Sequence, residues 1–291
     1  MTITNNMGLP EALVKACDTS PHNSEGNVSA TTLLQGIRQI ILTERHWHEM
    51  TDDVSNRIWA LFGTAIHKLL ETESPDTFTE EFFSVPVGEY KVTGTVDCYD
   101  MTNGIIHDYK STSVWKIIKG DFVDWRKQGL IYAWLLTKQG FPVKECRFTA
   151  ILKDHSKSKA KFDKSYPQTP VWVYQFTVSD KDLEEIEKEI IDKVEQLAKA
   201  KELPNDKLPM CTEQERWAEE DKIAVMKKGR KTAIRVFSAK DRNNAEQLLE
   251  ALGKDHYLEE RKGVSKKCQE YCACCEWCNF WREHCQDNIT D

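Results

Sequence analysis

The sequence predicts an α/β domain followed by a small cysteine-rich module, and three observations lead there. Helical apolar spacing in the first seventy residues gives way after Pro75 to alternation with period two, and helix and strand patterns then take turns to about residue 200. Of the 291 residues, 40% are apolar and 30% charged, the composition of a folded chain long enough for a sizeable core. Six of the ten cysteines crowd the last 24 residues.

Residues 1–28 hold Asn, Ser, Gly and Pro with little apolar rhythm and are expected to form a flexible arm. Ser29 suits the N-cap of a helix over 29–44, with Leu33, Leu34, Ile37, Ile40 and Ile41 on its apolar stripe. A second helix is expected over 52–71, its inward face made by Val54, Ile58, Leu61, Phe62, Ala65, Ile66 and Leu69. Strands are predicted over 82–87, 90–99 and 105–111, split by Gly88 and by the turn pair Asn103-Gly104. A helix over 122–138 stops at Gly140 before Pro142. Strands over 146–152 and 171–178 follow, then an amphipathic helix over 180–200 that points Leu183, Ile186, Ile190, Val194 and Leu197 inward. The α/β core domain is therefore drawn as 29–202. Pro204 to Pro209 reads as a linker, and 203–291 as a small α+β module with strands at 224–226 and 233–237, a helix over 240–252 and the cysteine tail.

The net charge of −7, from 47 acidic and 40 basic residues, argues against coating duplex DNA by bulk charge while leaving room for a local basic groove. No apolar run approaches the roughly 18 residues of a membrane span, so no membrane partner is expected. The first ten residues lack the basic-then-apolar layout of a signal peptide, which predicts a cytoplasmic chain.

The chemistry is concentrated in residues 63–132. On the strand that follows the Asn103-Gly104 turn, Asp108 and Lys110 share a face, and pairing with the preceding strand can bring Asp97 beside them. Two close carboxylates repel unless a cation lies between them, and hard oxygen donors suit Mg²⁺ or Mn²⁺. A lysine two residues from such a ligand can help deprotonate an attacking water or steady a phosphate charge. Gly94-Thr95-Val96-Asp97 lies on the strand before, Gly63-Thr64-Ala65-Ile66-His67 on the helix before that, and Gln128-Gly129-Leu130-Ile131-Tyr132 on the helix after, with Gln128 and Tyr132 one turn apart.

In this order the four motifs resemble the RecB-like branch of the PD-(D/E)XK nucleases, whose signature runs Gly-x-x-x-His, Gly-x-x-Asp, Asp/Glu-x-Lys, Gln-x-x-x-Tyr. The opening helix, Ser29-Ala30-Thr31-Thr32-Leu33-Leu34 with Arg38, adds to a likeness that spans about 29–135. The chain resembles in particular a phage-encoded subgroup, related to the CRISPR-associated iron–sulfur exonucleases, for which the likeness extends through the tail. The resemblance implies a restriction-endonuclease-like core, a mixed sheet flanked by helices. It also implies His67, Asp97, Asp108 and the Tyr109 carbonyl as Mg²⁺ or Mn²⁺ ligands, Lys110 as the catalytic lysine, and Gln128 and Tyr132 as residues that orient the site or touch DNA. A phage-encoded relative would work in the host cytoplasm. His107, on the face opposite Asp108, is read as structural.

In a reducing cytoplasm the cysteine tail is a metal site rather than a disulfide framework. Cys268, Cys272, Cys275, Cys278 and Cys285 offer overlapping four-ligand sets for Zn²⁺ or an iron–sulfur cluster. Many RecB-like nucleases hold a [4Fe–4S] cluster through three C-terminal cysteines and one that precedes the core. Here Gly36-Ile37-Arg38 stands where that early cysteine would be, so the resemblance implies Cys211 with Cys268, Cys272 and Cys278, leaving Cys17, Cys275 and Cys285 as alternates.

Lys153, Lys157, Lys159 and Lys161 form the basic stretch expected to track a DNA backbone, and Trp115, Trp125, Trp134 and Trp217 are available as stacking platforms. Together these readings anticipate a metal-dependent deoxyribonuclease, an exonuclease on DNA ends or single strands in recombination, repair or phage DNA processing. A homo-oligomer around the DNA would supply processivity. The alternative is a non-catalytic nucleic-acid-binding protein on the same scaffold; a decayed site would be expected to lose Asp97, Asp108 or Lys110, and none is lost. A redox protein built on the cysteines leaves the carboxylate–lysine group without a purpose.

Overall fold

Strands Thr77–Val87 and Tyr90–Asp100 form a long antiparallel hairpin, and strand Tyr90–Asp100 is the hub of a six-stranded mixed sheet. Thr77–Val87 fills one of its edges. The other edge is shared: Asn27–Ser29 pairs parallel with Lys91–Thr93, and Ile105–Thr112 pairs antiparallel with Cys98–Asp100. Beyond Ile105–Thr112 come Glu145–Leu152, parallel to it, and Val171–Thr177, antiparallel at the outer edge. The turn at Asn103-Gly104 forms as expected. Gly104 has φ +71°, and a Cβ there would stand 2.9 Å from the Pro142 carbonyl, so glycine is required on both counts.

The computed structural model describes residues 1–18, 26–71 and 75–285. The chain divides into two compact units, Met1–Gln35 with Trp47–Leu203, and Gly36–His46 with Pro204–Asp291. In the first, the helix Val123–Lys138 crosses the sheet and buries Trp125, Gln128, Gly129 and Leu130–Leu136 between the strands and the outer helix Asp180–Lys201. Covered on both sides, it is apolar nearly all round. The outer helix turns Ile186, Ile190, Val194 and Leu197 inward, and its Ser179/Asp182 capping box fixes its start. No helix among the described residues is long and apolar enough to cross a membrane.

The second unit contains the helix Ile37–His46 and a three-stranded antiparallel sheet in the order Arg235–Ser238, Lys222–Lys227, His256–Arg261. The helix Arg242–Leu252 packs Ala245 and Leu248 on Ile223 and Val225. The cysteine tail adds the short helices Lys266–Glu270 and Asn279–His284.

Four expectations change. The stretch 29–44 is not one helix: Ser29 caps a single turn, Ala30–Leu33, by accepting from Thr32 N–H at 3.1 Å, and the chain breaks before restarting at Ile37. The arm is not featureless, because Thr2–Thr4 pairs parallel with Thr51–Asp53 and a helix forms over Glu11–Cys17; residues 19–25 lie outside the described part. The helix Val54–Leu70 buries only Val54, while Phe62 and Leu69 of its anticipated inward stripe are 41% and 83% exposed. The strand His256–Arg261 went unread because its charged residues Glu259, Glu260 and Arg261 hide the alternation.

Candidate functional site

Asp97 and Asp108 stand where two strands part. The ladder between Tyr90–Asp100 and Ile105–Thr112 closes at Cys98–His107, and the next pair in that register, Asp97 with Asp108, is not bridged. The Tyr109 N–H donates to Asp97 Oδ2 at 2.7 Å, so the carboxylate takes over a backbone donor at the fork. Both aspartates are buried, at 8% and 1% exposure. Burial and the neighbouring Asp108 carboxylate push the Asp97 pKa up to about 7, against the opposing pull of the Tyr109 N–H, His67 and Lys110.

Lys110 Nζ lies 2.7 Å from Asp108 Oδ1 as an ion pair and 5.6 Å above the centre of the Phe148 ring. Its approach is off the hydrogen-bonding direction, and Asp108 Oδ1 remains a buried oxygen without a hydrogen bond. Such an oxygen is costly unless something else completes it.

His67 enters from the helix Val54–Leu70. Its Nε2 bonds the Tyr109 carbonyl at 2.9 Å. A carbonyl only accepts, so Nε2 carries the proton and Nδ1 is turned toward the acids, 3.4 Å from Glu80 Oε1 and 3.5 Å from Asp97 Oδ1. Tyr109 thus positions two site residues, through its N–H and its carbonyl.

Glu80 is the site residue that sequence reasoning missed. It sits in strand Thr77–Val87 with φ +51°, and the pair Glu80–Asp97 drops out of a ladder that is otherwise in register on both sides. A side-chain-bearing residue in that region costs about 1–2 kcal/mol, and such strain collects at functional sites. Here it accompanies a carboxylate aimed at His67. Among the described residues, His67, Glu80 and Asp97 are the one group of three or more that brings metal-ligand atoms within 4.8 Å of one another. Glu80 lies in no motif, and one acid among the polar residues of a strand gives no signal.

Gln128 and Tyr132, both 6% exposed, face the acids from the helix Val123–Lys138. Gln128 Nε2 donates to the Tyr132 hydroxyl at 2.9 Å, leaving that hydroxyl its own proton to give. Burial and the Asp108 charge hold the phenol above its ordinary range, so it stays a donor. Gly94 permits the approach, since a Cβ there would meet the Tyr132 ring at 2.8 Å. His107 lies outside this group, and burial together with Arg147 keeps its pKa low.

The lysines divide. Lys153 holds Nζ 4.4 Å over the Trp59 ring. Lys157, Lys159 and Lys161 are exposed on the short helix Lys157–Phe162 and form no ion pair among the described residues. Trp125 and Trp134 are buried, whereas Trp115 and Trp217 are 57% and 46% exposed.

In the second unit, Cys211, Cys268, Cys272 and Cys278 line one cavity, joined by Cys274, which the expected set omitted. Arg38, Arg216 and Lys267 supply positive charge around it. Arg38 is buried, bonding the Leu208 and Pro209 carbonyls and Asn279, with Cys278 Sγ at 4.0 Å. Burial and the neighbouring thiols push the Cys268 pKa up to about 12; the Cys274 thiol, 3.6 Å from Cys272 Sγ, holds Cys272 down at about 7. Gly36 accounts for the absent early cysteine: a Cβ at that position would stand 2.6 Å from Cys211 Sγ, so Cys211 occupies the space in front of residue 36. Cys275 and Cys285 do not line the cavity, and Cys17 is buried in the first unit with its carbonyl accepting from Arg57.

No family model matches this chain, and no curated protein matches it. Solved structures similar to it include the crystal structure of SSO0001, at 17% identity over 66% of this chain and 86% of that one, with a TM-score of 0.46. An alkaline exonuclease from Laribacter hongkongensis, LHK-Exo, is similar at 12% identity over 60% of this chain and 89% of that one, TM-score 0.37. LHK-Exo in complex with dAMP is similar at 13% identity over the same shares, TM-score 0.32.

Proposed function

We propose that this chain is a divalent-metal-dependent nuclease that hydrolyses DNA phosphodiester bonds, working as an exonuclease on DNA ends or single strands. The observation that carries the reading is the convergence of His67, Glu80 and Asp97, with the buried Asp108 next to Asp97 at a strand fork, one of its oxygens without a hydrogen bond and Lys110 paired to it. The donor set fits Mg²⁺ or Mn²⁺, because hard carboxylates are crowded enough to raise a pKa and one imidazole nitrogen is turned toward them. His67 Nδ1, Glu80, Asp97 and Asp108 would hold the ion, and the Tyr109 carbonyl has a second lone pair to offer. Bound there, the ion would supply Lewis-acid stabilisation of the charge that develops on the phosphoryl oxygens.

The remaining work falls to the chain. Lys110, paired with Asp108 as an ammonium, is placed to donate a hydrogen bond that holds the attacking water or to neutralise a phosphoryl oxygen. Tyr132, kept protonated and oriented by Gln128, donates a hydrogen bond into the same space. Tyr109 fixes the rotamers of Asp97 and His67 through its backbone.

For the second unit the reading is a [4Fe–4S] cluster on Cys211, Cys268, Cys272 and Cys278. What supports a thiolate-bound metal group there is that the four cysteines line one cavity ringed by Arg38, Arg216 and Lys267, whose positive charge suits bound thiolates.

The test is digestion of end-labelled single- and double-stranded DNA with Mg²⁺ and with Mn²⁺. Metal-dependent shortening that disappears in Asp108→Ala while DNA binding persists is the expected result. A wild-type protein that binds DNA and never cuts it with either ion would overturn the proposal in favour of a non-catalytic binding role.

A further inference from the structure

The helix that carries His67 also carries an aromatic surface that the fold does not use. Trp59 is 59% exposed and Phe62 41% exposed, their rings 6.2 Å apart edge to face. The other ring partner of Trp59 is a cation, Lys153, with Nζ 4.4 Å from the ring centre. That lysine is anchored at its backbone, its N–H donating to the Thr112 carbonyl at 2.9 Å, while the carboxylate of the adjacent Asp154 is turned to Ser113 and Val114 N–H. An indole with a lysine ammonium over its ring meets both demands of an unpaired nucleotide, a π-face for the base and a cation for its phosphate.

Spacing ties this surface to the acids. Trp59 precedes His67 by eight residues, which at about 1.5 Å per residue places it some 12 Å along the helix, the span of about two nucleotides. Between them, at i+4 from each, is Gly63. A Cβ at Gly63 would meet only Ser111 Oγ, at the ordinary distance of 3.6 Å. Packing within the chain does not demand a glycine there, and its bare backbone leaves the path from Trp59 to His67 low.

We propose that Trp59 is a stacking platform for an unpaired base about two nucleotides from the scissile phosphate, with Lys153 on the backbone, and that the substrate is therefore a single-stranded DNA end. This deepens the nuclease reading and rests on it for the identity of the acidic site. Within duplex DNA the bases are stacked on one another and paired, so none past the terminal pair offers Trp59 a free face.

The test is fluorescence anisotropy of a labelled 12-nucleotide single strand and of its duplex, in EDTA so that binding is measured without cleavage. Stacking contributes about 1–3 kcal/mol per base, so Trp59→Ala and Trp59→Leu are each expected to weaken single-strand binding by 5-fold or more. Trp59→Phe should keep most of the affinity, and duplex binding should move less than twofold in all three. Leucine retains apolar bulk without a π-face, and unchanged melting temperatures show that the variants fold. Wild-type single-strand affinity in both Ala and Leu variants overturns the proposal, as does equal loss on single strand and duplex, or no binding of either by the wild type. The two readings fail separately: a wild type that cuts DNA with no dependence on Trp59 sinks this inference alone, and Trp59-dependent binding without cleavage sinks only the nuclease reading.

Discussion

Glu80→Gly should stabilise the metal-free protein and weaken it as a metal binder. The backbone at residue 80 has φ +51°, a conformation that costs a residue with a side chain about 1–2 kcal/mol and glycine almost nothing. Glycine's greater freedom in the unfolded chain takes back about 0.5–1 kcal/mol, leaving a net gain of about 0.5–1 kcal/mol. Removing a carboxylate that faces the Asp97 side of the site acts in the same direction. For a chain of this size that gain corresponds to a rise of about 2 °C in melting temperature in EDTA. Mn²⁺ reverses the order. An ion at one hundred times its Kd stabilises the wild type by about 2.7 kcal/mol, and a tenfold loss of affinity cuts that to about 1.4 kcal/mol. Glu80→Gln, which removes the charge but keeps the side chain and the backbone strain, should lose about the same share of the Mn²⁺ increment while gaining less stability in EDTA than Glu80→Gly. The assay is thermal melting of all three proteins in EDTA and across an Mn²⁺ titration. A Glu80→Gly protein that melts below wild type in EDTA refutes the strain argument, and one that takes up the full Mn²⁺ increment refutes the ligand assignment.

Other outcomes follow from the same geometry. Lys110→Gln should lower the cleavage rate by about 100-fold or more while leaving DNA affinity within a fewfold, the signature of a group that acts on the reaction and not on binding; single-turnover digestion beside anisotropy checks it. Asp97→Asn addresses pH. A folded-state pKa near 7 against an ordinary 3.8 means the metal-free wild type loses stability as pH rises from about 4 to 7 and keeps that deficit above it, at most about 4 kcal/mol. Asparagine still accepts from the Tyr109 N–H, so the variant should melt above wild type at pH 8, match it at pH 4 and fail to cut DNA; denaturant curves in EDTA at the two pH values decide. Cys211→Ser should abolish visible iron–sulfur absorbance, as should Gly36→Ala, whose Cβ would stand 2.6 Å from that sulfur, whereas Cys275→Ser and Cys285→Ser should keep it. Colour in Cys211→Ser, or its loss in Cys285→Ser, would show that another thiol completes the set.

The strands and helices of the sheet unit were legible because their periodicities are clean: two residues over Tyr90–Asp100 and Ile105–Thr112, and helical spacing with a capping box over Asp180–Lys201. Asp97, Asp108 and Lys110 could be brought together on paper because a strand register fixes which side chains meet. The fork could not, since it depends on Tyr109 exchanging a strand partner for the Asp97 carboxylate. Glu80 was invisible for a related reason: its direction comes from one left-handed backbone angle that nothing in Thr79-Glu80-Glu81 encodes. The helix Val54–Leu70 misled because its stripe of apolar residues is real but only Val54 is buried, and apolar spacing alone does not say how fully a protein core covers it. In the tail, spacing identified a cysteine cavity but not Cys274 as one of its walls, because Cys272 and Cys274, two residues apart, meet only through the local turn that brings their sulfurs to 3.6 Å. Gly36 looked like a missing ligand; in three dimensions it is the clearance that lets Cys211 reach the same place.

Anomalous diffraction from crystals soaked in Mn²⁺ would show whether these side chains share an ion. A peak in contact with His67, Glu80, Asp97 and Asp108 is expected, at full height in the wild type and absent in Asp108→Ala. Manganese bound elsewhere, or these four side chains turned to separate surroundings with no ion among them, would contradict that expectation.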